Sequence, residues 1–236
     1  MTLKNSKGFT LVEMLVVIAI ISVLAAALFP AISNALSSAS ATALKQKGRG
    51  IWVAITSANM EREPLNLTAL WPYECSVDSE AGSPANAVAY FNYLLSNGTD
   101  TTKSTEDVDL RVVADLTPDT LIANGVTAAK IGDALTKDNI AWGVVRVGDA
   151  TPSEIPFLIS RNFNTVATLT QQATASATPL ELDSTVKPFN ASRAVWVSRG
   201  GGTFDARKKY FTISQLMGLG ECKGPDGQDA FEYWKE

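Results

Sequence analysis

The chain has 236 residues, 46% of them hydrophobic and 19% charged, which suits one globular domain plus an accessory element and argues against wholesale disorder. Its formal charge is −4, and taking away residues 1–8, which carry Lys4 and Lys7 and no acid, leaves −6; there is no basic stripe, so nucleic acid is not an expected partner. Histidine is absent, which excludes Ser-His-Asp and Cys-His nucleophile pairs and any zinc site that needs imidazole.

Residues 1–8 (MTLKNSKG) are short and polar. Phe9-Thr10-Leu11-Val12-Glu13 follows, and then an apolar run to Phe29 in which Ser22 is the one polar residue. As an α-helix, residues 9–32 are about 36 Å long, enough to cross a bilayer core. Lys4 and Lys7 precede the run and no basic cluster follows until Lys45, so the positive-inside rule puts the N-terminus in the cytoplasm and the rest outside.

Three readings of this segment compete: a secretory signal peptide cut near Ala25-Ala26-Ala27, an uncleaved single-pass anchor, and a prepilin. Glu13 separates them. A carboxylate near the start of a lipid-facing helix costs on the order of 2.5–3.5 kcal/mol by insertion scales, and neither a signal peptide nor a plain anchor gains from it.

Gly8-Phe9-Thr10-Leu11-Val12-Glu13 resembles the prepilin peptidase site of type IV pilins and type II secretion pseudopilins. The resemblance implies that Gly8 is the last leader residue, Phe9 the methylated mature N-terminus, and Glu13 the acid used in assembly. Pro30 stands where many members of that family carry a helix-kinking proline. The implied partners are copies of the chain or related pilins in a helical filament, prepilin peptidase, and an inner-membrane assembly platform. The implied location is the bacterial inner membrane, with the head in the periplasm or beyond. A secretion pseudopilin is the favoured member of the class; a pilus subunit for adhesion, motility or DNA uptake is the alternative. An exported or anchored binding protein is the alternative from another class.

Cleavage after Gly8 leaves a cationic amine on Phe9, close to the anionic Glu13 in a poor solvent. Two isolated charges there are costly, whereas a pair is less so. Within one helix the pair meets imperfectly, but the amine of an incoming subunit can reach the Glu13 of one already in place and set the axial register.

From Pro30 to about Arg62 the sequence continues as helix. Leu44, Ile51, Ile55 and Ala58 share one face, expected to lean on the chain's own head, with Trp52 beside the stripe. Pro30 is expected to kink the helix or melt a turn, Gly48 and Gly50 to weaken it, and Pro64 to end it.

The remainder, 63–236, reads as an α+β head. Residues 72–86 read as a loop holding Cys75, which in an oxidising compartment is expected to bridge to Cys222. Residues 85–95 read as a helix ending at Asn97-Gly98, 99–109 as a polar surface loop, and 128–135 as a possible short helix within an ambiguous stretch. Strands are expected at 140–147, 155–160, 194–198 and 210–213, the last two flanking Gly200-Gly201-Gly202, and 162–177 reads as loop. The fold class is therefore α+β, a long N-terminal helix on a mostly antiparallel, pilin-like sheet. Its divisions are a leader (1–8), a transmembrane half-helix (9–32), a periplasmic continuation (33–62) and the head.

Arg199-Gly200-Gly201-Gly202-Thr203 lacks the Gly-Lys-Ser/Thr of a phosphate loop. In the tail, Asp226, Asp229 and Glu232 are closely spaced oxygens near a Gly/Pro turn that would suit calcium, and the stretch resembles the calcium-binding tail loop of the major pseudopilin. A solvated turn is the preferred reading, with no cofactor. Asn66, Asn97 and Asn190 each open an Asn-x-Ser/Thr triplet, a weak signal in a chain that looks bacterial. No paired-carboxylate site stands out, and no enzymatic activity is expected.

Overall fold

The computed structural model describes residues 10–77, 84–95, 116–121, 126, 134–163, 168–170, 182–190, 192–207 and 230–234. Helix α1 spans Leu11–Arg62, and the chain divides into two compact units, Met1–Ser40 and Ala41–Glu236.

In the first unit the sequence leaves little choice but helix. Its residues are long aliphatics and alanines, and the apolar run is exposed on all sides, as for Leu15, Ile18, Leu24 and Phe29. Ser22 does not interrupt it, because its Oγ donates to the Ile18 carbonyl at 2.7 Å and brings no unsatisfied polar group. The melted turn expected at Pro30 is not there: α1 runs unbroken through it. A proline in a helix removes one donor, and the good helix formers on both sides carry the helix across that gap.

The second unit is the α+β head. After α1 come a 3₁₀ turn (Glu63–Leu65), then α2 (Pro72–Val77), α3 (Ala87–Leu95), α4 (Pro118–Leu121) and a second 3₁₀ turn (Lys137–Asn139). The strands are β1 (Trp142–Val145), β2 (Pro156–Ser160), β3 (Thr168–Thr170), β4 (Arg193–Ser198), β5 (Thr203–Arg207) and β6 (Ala230–Trp234). They form one sheet in the order β3-β6-β1-β2-β4-β5, with every pairing antiparallel. Strands β1, β2 and β4 are buried along their whole length, which explains why they read as unbroken apolar runs rather than alternating ones.

Residues 41–55 of α1 cover one sheet face through Ala41, Leu44, Gly48, Ile51, Ala54 and Ile55. Thus the stripe expected on α1 does lean on the head. The closest approach is at Gly48, where a Cβ would lie 2.6 Å from Val197 Cγ2 and 2.8 Å from the Trp142 ring. Helix α3 adds to this face, with Tyr90 and Trp234 ring centroids 6.3 Å apart. Neighbouring residues point the other way: Tyr233 passes over Gly143, where a Cβ would run into its hydroxyl, and packs edge-on against Phe163.

Polar contacts fix the helix on the sheet. Asp205 of β5 accepts from Lys45 of α1 at 2.6 Å and from Arg193 of β4 at 2.5 Å. Burial pushes the Asp205 carboxyl up, but the bonds and charges of Lys45 and Arg193 outweigh it and hold the group below the usual carboxylate range. A depressed folded pKa stabilises above the unfolded value and loses that contribution as pH falls through the folded one. Asp205→Asn is therefore expected to lower stability near neutral pH by about 1–2 kcal/mol, with the difference from wild type shrinking below roughly pH 4. Thermal melts of both proteins across that range check it.

Several short elements differ from the sequence reading. Cys75 lies in helix α2 and not in a loop: Pro72 opens it, since a proline at the first helical position needs no donor. Strand β3 falls inside the stretch read as loop. The β4 hairpin returns at once as β5, because Gly201 (φ 81°) lets Ser198 N–H reach the Gly202 carbonyl at 2.8 Å. The strand expected at 210–213 lies outside the described residues, as do the loop at 99–109 and all but the last two residues of 128–135. The tail read as a turn contributes β6, which pairs with both β1 and β3.

Candidate functional site

Glu13 sits in the first turn of α1, and its surroundings come from its own chain. The backbone N–H of Thr10 donates to Glu13 Oε2 at 2.7 Å and the Thr10 hydroxyl donates to the same oxygen at 2.8 Å. The Glu13 N–H in turn lies 3.3 Å from Thr10 Oγ1. This is a capping box: the two residues satisfy each other's orphan donors at the helix start. Both bonds to the carboxylate, one from the Thr10 backbone and one from its side chain, fall on Oε2, so Oε1 has no partner among the described residues. The sequence reading did not find this local role, although Thr-x-x-Glu ahead of an apolar run is its signature.

Magnitudes decide whether capping suffices to explain the acid. A good N-cap contributes about 1 kcal/mol, less than the roughly 2.5–3.5 kcal/mol an ionised carboxylate costs in a lipid-facing helix. A neutral Gln at the same position closes the same box. The charge itself therefore answers to something other than the cap. Around it lies the exposed apolar surface of α1, on the one helix among the described residues long and apolar enough to cross a membrane.

The other predicted positions are scattered. Gly8 and Phe9 lie outside the described residues, as do Cys222, Asp226 and Asp229. Pro30 is inside α1. Cys75 is buried in α2, with its sulfur 4.0 Å from the Ala69 carbonyl. Glu232 lies exposed on β6 with Oε2 3.8 Å from Arg146, so the neighbour shown for it is a cation. Among the described residues no group of three His, Cys, Asp or Glu side chains is placed to hold a metal.

No curated protein and no solved structure matches the chain. Residues 3–29 match the family described as the prokaryotic N-terminal methylation motif, and that match covers the basic segment, Gly8, Phe9, the capping box and the apolar run up to Phe29. With this motif and an α+β head behind a long N-terminal helix, the chain carries the signature of the type IV pilin-like proteins.

Proposed function

We propose that the chain is a structural, non-enzymatic subunit of a type IV pilin-like filament, and specifically a type II secretion pseudopilin. Prepilin peptidase cuts it after Gly8 and methylates Phe9. The subunit then waits in the inner membrane with its N-terminus cytoplasmic and its head on the far side, an orientation that Lys4 and Lys7 support. An assembly platform feeds it into a filament of like subunits, where the Phe9 amine of the incoming chain pairs with Glu13 of its neighbour.

One observation carries this reading: a charged carboxylate, larger in cost than its cap can offset, in the first turn of a membrane-length helix within a methylation motif. The secretion assignment leans on the sequence of the tail. The bridge between Cys75 and Cys222 is a proposal of the same kind; for Asp226, Asp229 and Glu232 a solvated turn, with no cofactor, is preferred to a calcium site.

Mass spectrometry of the mature protein tests the reading. The expected N-terminus is methylated Phe9. A chain beginning near Leu28 would place it among secreted proteins, and an intact Met1 in cells that possess the peptidase would make it a plain anchor. Imaging of sheared surface material then separates a short, envelope-bound secretion filament from a long pilus.

A further inference from the structure

Glu74, in α2, holds a carboxylate in an awkward place. Its Oε1 accepts the backbone N–H of Asp149, in the loop after β1, at 2.8 Å. Its Oε2 is buried and has no hydrogen-bond partner among the described residues. The Gly148 backbone presses close, so that a Cβ there would lie 2.8 Å from Oε1 and 3.3 Å from Oε2.

Each element packed around it contributes a group of known sign. The β1–β2 loop brings the Asp149 carboxylate, a like charge, and the end of β4 brings Arg199, an opposite one. Arg199 is already engaged: it donates to the Asp149 carbonyl at 2.6 Å and carboxylate at 2.7 Å, and stacks 4.9 Å over Trp71. Helix α3 brings Tyr90, whose hydroxyl donates to the Leu70 carbonyl at 2.8 Å and is kept protonated by burial. Beside Glu74 on α2, Tyr73 donates its N–H to the Val147 carbonyl at 3.0 Å and lies under Arg146 at 4.8 Å. So α2 is tied to the β1–β2 loop at two neighbouring points, and one of them ends on a half-buried carboxylate whose Oε2 is buried without a partner among the described residues.

We propose that Glu74 is a proton-operated latch that fastens α2 to the β1–β2 loop more firmly as the surrounding pH falls. An ionised Glu74 leaves a buried anionic oxygen without a donor and faces a second carboxylate whose counter-charge is shared. A neutral Glu74 keeps a carbonyl oxygen for the Asp149 N–H, removes the like-charge repulsion, and replaces the buried anionic oxygen with a neutral hydroxyl that costs less to bury. Burial first, and then the Asp149 charge, pushes the carboxyl above its ordinary value against the pull of the Asp149 N–H, of the Glu74 backbone N–H and of Arg199. A raised folded pKa gives stability that is fully present below the unfolded value and is lost as pH rises through the folded one. The latch is independent of the filament reading, since it concerns the head alone.

The test is thermal unfolding of the full chain in detergent from pH 8 to pH 4.5, for wild type, Glu74→Gln and Asp149→Asn. Gln imitates the protonated carboxyl. Wild type is expected to melt below Glu74→Gln at pH 8, with the gap closing by about 2–4 °C toward pH 4.5. Asp149→Asn removes the like charge and is expected to flatten the wild-type pH response. Hydrogen exchange at the Asp149 amide, corrected for intrinsic rate, is expected to slow in wild type relative to Glu74→Gln over the same range. A gap between wild type and Glu74→Gln that stays constant across these pH values overturns the latch. If Glu74→Gln does not fold, an Asp149→Asn response identical to wild type overturns it instead.

Discussion

Glu13→Ala is expected to leave the chain inserted and cleaved while abolishing its entry into filaments. The substitution removes the apolar run's one acid, so insertion becomes easier, and the proposed cleavage site after Gly8 is untouched. What disappears is the anion that a neighbour's amine would meet. Because Glu13 also caps α1, the alanine variant alone does not separate charge from cap. Glu13→Gln does: it keeps the reciprocal bonds with Thr10 and removes the charge, and it too is expected to fail. Thr10→Val is the converse, sparing the charge while weakening the cap by about 1 kcal/mol, and it is expected to assemble at a reduced level. The measurements are the fraction of processed subunit and the yield of sheared or pelleted filament. Normal assembly of Glu13→Gln would reduce the acid to a helix cap and sink the proposed pairing.

The second large effect is expected at Gly48. Gly48→Val places a branched side chain where even a Cβ falls 2.6–2.8 Å from Val197 and Trp142. Val197 and Trp142 are fully buried and cannot step aside cheaply, so either α1 lifts from the sheet or the core around Trp142 repacks. The expected loss is about 3 kcal/mol, which for a chain of this size lowers the melting temperature by roughly 6–12 °C. Gly50 is the control. A Cβ there meets nothing within 4 Å, so Gly50→Ala is expected to stabilise the head by about 1 kcal/mol through helix propensity alone. Equal effects at the two positions in thermal melts would mean that the helix does not approach the sheet at Gly48.

How much of this was legible in advance depended on how each signal is encoded. The membrane-length helix, the α3 helix and strands β1, β2 and β4 were readable because each is a contiguous apolar run whose burial follows from its own composition. The elements that escaped are short or polar. Helix α2 opens on a proline that looks like a breaker, β3 is three residues in a Thr-rich stretch, and β5 carries Asp205 and Arg207. Strand β5 holds its place through pairing with β4 and through Asp205 reaching Lys45, a residue 160 positions earlier. No local pattern announces such a partner.

The same division holds for the residues that matter. The placement of Glu13 one turn into an apolar run is a property of consecutive residues, and so the chain's N-terminal character could be argued from order and solvation cost alone. That Glu13 commits only one of its two carboxylate oxygens to Thr10 depends on the geometry of the first helical turn. Gly48 and Gly50 look alike in the sequence, two weak points in one helix. Their opposite expected behaviour comes from what stands across from them, Trp142 and Val197 for one and open space for the other. Local order determined which segments are helix, apolar strand and membrane run, because these follow from nearest neighbours and burial. Long-range packing decided which glycine, which carboxylate and which polar strand are indispensable, because their partners lie far along the chain.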